Sequence, residues 1–128
     1  MSWALIPLTE EQREIQRTAR DFGKAEIAPY SDAWDRAEKY DEGIVTKLGE
    51  LGFLGMLIPE EFDGLGLDTR TYLVALEEIA AVDASVAVLM SVHNSLPTQM
   101  ILRYGNAAQK ERFLKPMARG EWLSLIHI

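Results

Sequence analysis

The segment DASVAVLMSVHNSLP, residues 83–97, gives the clearest indication of the fold. Within it, the run from Val86 to Asn94 is apolar almost throughout. A helix that is apolar on nearly every side lies at the centre of a bundle, because a surface helix keeps one polar face. Pro97 favours the first turn of another helix, where its missing N–H costs nothing. The stretch therefore predicts a central helix followed directly by a second one.

Further helices are predicted on both sides of this stretch. Upstream, Asp68 is placed to cap a helix whose inward residues are Tyr72, Leu76 and Ile79. Downstream, the helix that begins at Pro97 reaches about Tyr104 and ends at Gly105. The next starts at the cap-like segment 106–109, closes at Gly120, and has Phe113, Leu114 and Met117 on one face.

The first half of the chain also predicts helices. Thr9 and Gln12 have the spacing of a capping box, and Pro29 should end or bend the helix that follows them. A second helix is predicted over Asp41–Leu51, with Gly52 as its stop. Residues 53–58 form an apolar run that we interpret as a buried connection. With no convincing strand alternation in the first 120 residues, the fold class is an all-α bundle of five to six helices.

Composition excludes several classes of function. The 128 residues carry a net charge of -7, and no cluster of Lys or Arg could displace counterions from a nucleic acid. The uncharged stretch from Ala84 to Leu102 contains many polar residues, so we expect no membrane span. The chain has no cysteine, and its first residues resemble neither a secretory signal nor a transit peptide. These features predict a cytoplasmic protein.

No motif of catalysis or of metal or nucleotide binding is complete. The two histidines, His93 and His127, are not accompanied by a Glu-x-x-His pair, so we predict no metal site. The glycines at 64 and 66 follow no strand and lack the third glycine of a dinucleotide loop. Adjacent residues on a helix point about 100° apart, so Glu77 and Glu78 do not face one reacting centre. We therefore assign no catalytic residue.

One helical face could bind a ligand. Leu89, Val92 and Leu96 fall at positions i, i+3 and i+7 of the central helix, so they share one side of it. Polar residues 91 and 93–95 lie at the end of this otherwise apolar helix and need hydrogen-bonding partners. The pattern alone leaves two interpretations open, which are ordinary core packing and one wall of an apolar ligand pocket.

Four local patterns, in this order, resemble the start of acyl-CoA dehydrogenases over roughly residues 5–123. The patterns are LTEEQ (8–12) with EIAP (26–29), LGFLG (51–55) with PEEFDGLGLD (59–68), EEIA (77–80) with DAS (83–85), and HNSL (93–96) with YGNAAQK (104–110). Each is weak alone, but the order and spacing are specific. The resemblance implies the N-terminal helical domain of that fold, which a middle β-domain and a C-terminal helical bundle follow.

The resemblance also implies a function for the full-length parent. Such enzymes bind FAD and oxidise an acyl-CoA to the 2,3-enoyl-CoA: a carboxylate removes the α-proton, the β-hydride goes to the flavin, and an electron-transfer flavoprotein accepts the electrons. Most of the flavin site and the catalytic carboxylate belong to the other domains, and a homotetramer is usual. In this domain the matching positions Leu89, Val92 and Leu96 line the acyl-chain pocket. Their medium size suggests a short or medium acyl chain.

Residues 124–128 depart from the family pattern, which continues into a strand and a flavin loop. We expect the domain to occupy 1–123 and the tail to be either the start of a middle domain or an artefactual end. The expectation is then an inactive fragment of a dehydrogenase. Two alternatives stay open, namely the N-terminal domain of a related flavin oxidase or monooxygenase, and a stand-alone helical binding module.

Overall fold

The computed structural model describes residues 6–123, and within that range every regular element is helical. The α-helices are α1 (Glu10–Phe22), α2 (Ser31–Ala37), α3 (Gly43–Glu50), α4 (Thr69–Ala80), α5 (Ala84–Ser95), α6 (Pro97–Tyr104) and α7 (Ala107–Ala118). A π-helical turn (Gly23–Ile27) extends α1, and a 3-10 turn (Glu60–Phe62) precedes α4. The predicted all-α fold is confirmed.

Side-chain caps fix where four of the helices begin. Thr9 accepts a hydrogen bond from the Gln12 amide and the Gln12 side chain bonds back to Thr9, which is the predicted capping box. Asn106 and Gln109 repeat the arrangement at α7. Aspartates start α4 and α5, since their carboxylates accept from backbone N–H groups three residues later. Each cap satisfies an N–H that the helix itself leaves unpaired.

The main core lies where α1, α4 and α5 pack together, and α6 and α7 continue the bundle from α5. Among its most buried side chains are Ala19, Ile27, Leu48, Leu54, Met56, Ala75, Ile79 and Met90. Most residues of the predicted buried connection, 53–58, are fully buried, so this apolar run is part of the core rather than a surface loop. The α5 helix therefore has core on one side, and its other side stays open.

Two glycines end helices as predicted. Gly52 follows α3 with a φ of 78°, and Gly120 follows α7 with a φ of 74°. Side chains with a Cβ are strained in this left-handed region, so glycine suits both positions. A Cβ on Gly52 would also come within 3.0 Å of the Leu65 side chain.

The α2 helix was not predicted. It has seven residues, no side-chain cap at Tyr30, and no fully buried residue. Its stability comes from tertiary contacts, since Trp34 stacks on Tyr30 with 5.8 Å between ring centroids and packs against the main core. Ser31 also donates a hydrogen bond to Asp83 at 2.5 Å. Contacts of this kind leave no periodic signal in a seven-residue sequence.

Candidate functional site

Of the three residues predicted to bind substrate, Leu89 and Val92 lie on α5 and Leu96 directly follows its last turn; the three differ in depth. Leu89 is only 6% exposed and belongs to the main core, Val92 is half-buried, and Leu96 is 40% exposed. At 100° per residue the three side chains fall within about 60° of arc. Leu96 and Val92 therefore reach the surface, and Leu89 lies at the edge where this side of the helix turns into the core.

One further apolar residue on this side of α5 is exposed and was not among the predicted residues. Val88 is 60% exposed, the highest value among the large apolar residues of α5. Val88, Val92 and Leu96 follow at intervals of four, a spacing that was visible in the sequence. We call these three residues the α5 face. Leu89, which the i, i+3, i+7 pattern predicted, lies at the boundary between core and surface, and its role in binding stays a prediction.

No charge lies along the α5 face. Residues 84–96 include no Asp, Glu, Lys or Arg, and the exposed neighbours of the face are Ala84, Ser85 and Ser95. Small and neutral side chains leave room for an apolar group and offer no partner to a charged one. An isolated charge buried against this surface would be costly.

Hydrogen bonds of the Asn94 side chain fix the buried side of α5 to the 53–58 segment. Its side chain is fully buried and donates to the carbonyls of Phe53 (2.8 Å) and Met90 (2.9 Å), while its Oδ1 accepts from the Met56 N–H (3.1 Å). Thr98 extends the anchor, since its hydroxyl donates to the Asn94 carbonyl at 2.8 Å. The polar residues predicted to need partners thus include one that fixes α5 against the 53–58 segment.

His93 joins α5 to α7. Its ring is fully buried, and Nε2 lies 3.0 Å from the Met117 carbonyl, so this nitrogen carries the proton. Burial lowers the pKa of His93, and the hydrogen bond to the carbonyl only partly opposes that effect. A buried, neutral imidazole on the core side of α5 is a structural group, and it does not reach the α5 face.

A second apolar surface lies next to this face. A groove of about 620 Å³ runs between α6 and α7, and we call it the C-terminal groove. Its lining consists of Met100, Ile101, Tyr104, Gly105, Gln109, Phe113, Met117, Trp122 and Leu123. Met100 and Tyr104 continue the four-residue spacing of the α5 face into α6, although the helices are separate.

A polar cleft of about 500 Å³ lies at the opposite end of α5, between α2 and the turn that joins α4 to α5. Four carboxylates line it (Asp32, Asp35, Glu38 and Asp83), and Lys39 is its one cation. The two phosphates of FAD need cations or clustered N–H groups. The four carboxylates of the cleft would repel these phosphates, and the groove offers no cation to them, so neither depression fits the phosphates of FAD.

Within the described range, no group of three His, Cys, Asp or Glu residues is arranged to hold a metal ion. None of the helices there is both long enough and apolar enough to cross a membrane.

Comparison with known proteins identifies the family. The model described as "Acyl-CoA dehydrogenase, N-terminal domain" matches residues 9–121, which is most of the chain. The chain belongs to the acyl-CoA dehydrogenase family. The resemblance seen in the sequence is thereby confirmed, and so is the assignment to the N-terminal domain of the fold.

Individual relatives agree with the family assignment. The mouse mitochondrial short-chain specific acyl-CoA dehydrogenase is 41% identical over 116 residues, which cover 91% of this chain and 28% of that enzyme. The structure of butyryl-CoA dehydrogenase from Megasphaera elsdenii superposes with a TM-score of 0.86 at 36% identity, covering 92% of this chain and 32% of that one. A glutaryl-CoA dehydrogenase from Mycobacterium smegmatis in complex with FADH2 gives 0.86 at 28% identity, covering 91% and 30%. The chain thus spans less than a third of each of these relatives.

Proposed function

We propose that this chain is the N-terminal domain of an FAD-dependent acyl-CoA dehydrogenase and that its α5 face forms part of the acyl-chain pocket. The supporting observation is an uncharged row along α5 and its C-cap, in which Val88 and Leu96 are exposed and Val92 is half-buried, while the other side of the helix is anchored in the core. Leu89 supports the wall from its edge. An apolar wall on a rigid helix is what a pocket for a hydrocarbon chain requires.

The composition of the α5 face favours a neutral acyl group of short or medium length. Burying a carboxylate at the end of an acyl chain would need a cation, and residues 84–96 supply none. Each methylene buried against the face contributes about 0.8 kcal/mol. Side chains of the size of valine and leucine therefore set how many methylenes fit, while the similarity to short-chain and butyryl enzymes supports the lower end of the range.

Within the full-length enzyme this domain would bind and desolvate the acyl chain, and its residues would take no part in the chemistry. The FAD, held by other parts of the enzyme, supplies the hydride acceptor, and the catalytic carboxylate also lies outside this chain. We extend the proposal to an electron-transfer flavoprotein as the electron acceptor, a homotetrameric parent and a cytoplasmic location. The 128-residue chain alone is then expected to be inactive.

A chimera tests this proposal. Residues 9–121 would replace the matching segment of the mouse short-chain enzyme, and the purified protein would be assayed for bound FAD and for dehydrogenation of acyl-CoAs of increasing chain length. Leu96→Phe should then shorten the accepted chain. If the added ring displaces two methylenes, kcat/KM for the longer substrates falls by about 15-fold, while the shortest substrate is little affected.

Leu73→Phe provides a matched control, because Leu73 is an exposed leucine on α4, outside the α5 face. This variant should leave the chain-length profile unchanged. A chimera that holds no FAD and oxidises no acyl-CoA would refute the proposed activity. An active chimera in which Leu96→Phe and Leu73→Phe have the same profile would refute only the role of the α5 face.

A further inference from the structure

Several large apolar side chains of the C-terminal groove are exposed. Met100 is 55% exposed, Tyr104 82% and Trp122 48%, and all three line the groove. None of the lining residues is charged. The groove volume of about 620 Å³ lies within the range of about 300–1,000 Å³ that is usual for binding sites. Exposed apolar surfaces of this kind mark sites of interaction with a protein, a membrane or a ligand.

The helices that form this groove are basic, although the chain as a whole is acidic. Residues 97–123 carry five cations and two carboxylates, whereas the net charge of the 128 residues is -7. Two of the cations, Lys115 and Arg119, are held in ion pairs with carboxylates of the same domain. The other three, Arg103, Lys110 and Arg112, form no ion pair within residues 6–123. The groove-forming helices therefore carry an excess of unpaired positive charge.

Two of the unpaired cations lie beside the apolar lining of the groove. On α6, Arg103 immediately precedes Tyr104 and lies about 60° around the helix from Met100. On α7, the guanidinium carbon of Arg112 is 5.2 Å from the centre of the Phe113 ring, which lines the groove. Both arginines are exposed. Each of the two helices thus places a cation beside a neutral, apolar floor.

A short amphipathic helix with acidic flanks fits this arrangement. The eight residues of α6 rise about 12 Å and the twelve residues of α7 about 18 Å, so a helix of two or three turns spans the groove. Apolar side chains on one face of such a helix would insert between α6 and α7, as in other helix-in-groove complexes. Carboxylates on its flanks would meet Arg103 and Arg112. Charge complementarity of this kind selects the partner and speeds encounter.

We propose that the C-terminal groove binds an acidic amphipathic helix of a partner protein, with apolar side chains over Met100 and Trp122 and with carboxylates paired to Arg103 and Arg112. This contact does not depend on the acyl-CoA function proposed above. It uses α6 and α7, and it leaves the α5 face free.

A synthetic peptide tests this proposal. The probe is a fluorescein-labelled peptide of about 16 residues, long enough to form a helix, with leucines on one face and glutamates on both flanks. Its control peptide has lysines in place of the glutamates. Binding to the 128-residue chain is measured by fluorescence anisotropy. The glutamate peptide should bind at least about tenfold more tightly at low ionic strength, and the difference should shrink as added salt screens the charges.

Charge reversal locates the contact. The double variant Arg103→Glu, Arg112→Glu should weaken binding of the glutamate peptide about tenfold, because two attractive pairs become repulsive. Arg36→Glu is the matched control, since Arg36 is exposed on α2 and lies outside the groove. Tyr104→Ala removes the most exposed apolar side chain of the groove and should weaken binding about fivefold, whereas Leu73→Ala on α4 should leave it unchanged. Far-UV circular dichroism checks that each variant is folded.

The same measurements on the chimera, with its grafted segment extended to residue 123, show whether the groove is open in a full-length enzyme. Binding by both proteins, weakened only by the groove variants, supports the proposal. No binding, or equal affinity for the two peptides, would overturn it. Binding by the chain but not by the chimera would assign the groove to the rest of the enzyme. A dimer that excludes the peptide would assign it to a second copy, and adsorption to anionic phospholipid vesicles that Tyr104→Ala abolishes would assign it to a membrane. Each of these three results would also overturn the proposal.

Discussion

Replacing Asn94 by leucine should lower the free energy of unfolding of this domain strongly, although both side chains have four heavy atoms. The substitution removes the acceptor of the Met56 N–H and the donor to the Phe53 carbonyl, and both groups lie in the buried 53–58 segment. Met90 is less affected, since its carbonyl is part of the α5 ladder. A buried polar group without a partner costs about 1–3 kcal/mol, so the two together cost about 2–6 kcal/mol.

That loss is a large share of the total, because a domain of this size has a free energy of unfolding of about 5–15 kcal/mol. Urea unfolding followed by circular dichroism measures it. With an m-value of about 2 kcal/mol per molar urea, the midpoint should fall by about 1–3 M. Ser95→Ala, at the exposed neighbour of Asn94, should change stability by about 0.5 kcal/mol or less. If Asn94→Leu shifts the midpoint no further than Ser95→Ala does, the anchor described for α5 is wrong.

Three further predictions concern the two capping boxes, Gly52 and His93. Thr9→Ala and Asn106→Ala each remove one half of a capping box, and each should lower the free energy of unfolding, measured by thermal unfolding, by about 1 kcal/mol. The two losses should add in the double variant, because the caps belong to different helices. Gly52→Ala should cost more than about 1 kcal/mol, since its φ is 78° and the new Cβ would crowd Leu65; a neutral result in the same assay would contradict this. Burial lowers the pKa of His93 in the folded protein, so the contribution of His93 to stability is complete above the unfolded pKa of about 6.5. It is lost as the pH falls below that value, at up to about 1.4 kcal/mol per pH unit. His93→Gln should therefore reduce the difference between the free energies of unfolding at pH 7.5 and pH 5.5, and an unchanged difference would count against a buried neutral imidazole.

Long-range contacts explain what the sequence could not predict about the fold. The caps at Thr9 and Asp68 and the glycine stops at 52 and 120 act within a few residues, so local patterns identified them. The α2 helix depends instead on Tyr30–Trp34 stacking and on a hydrogen bond to a residue more than fifty positions away. Such a contact exists only after the chain has folded.

In the candidate site, too, local patterns predicted the helix, whereas long-range packing determines which side of it is exposed. The apolar run correctly predicted the helix that carries Leu89 and Val92 and ends just before Leu96, but periodicity alone did not separate its buried side from its open side. Because α5 is apolar nearly all round, the packing of α4, α6 and the 53–58 segment decides that Leu89 turns inward and Val88 outward. The role of these residues in binding an acyl chain stays a prediction.

Photolabelling of the chimera measures most directly whether the α5 face contacts substrate. A short-chain acyl-CoA with a diazirine at the end of its acyl group would be bound to the chimera and irradiated. Tandem mass spectrometry would then identify the labelled residues. The account predicts adducts at Val88, Val92 or Leu96, and competition by unlabelled substrate should remove them. Adducts that fall instead on Phe113 or Trp122 in the C-terminal groove, or on no residue of this domain, would contradict it.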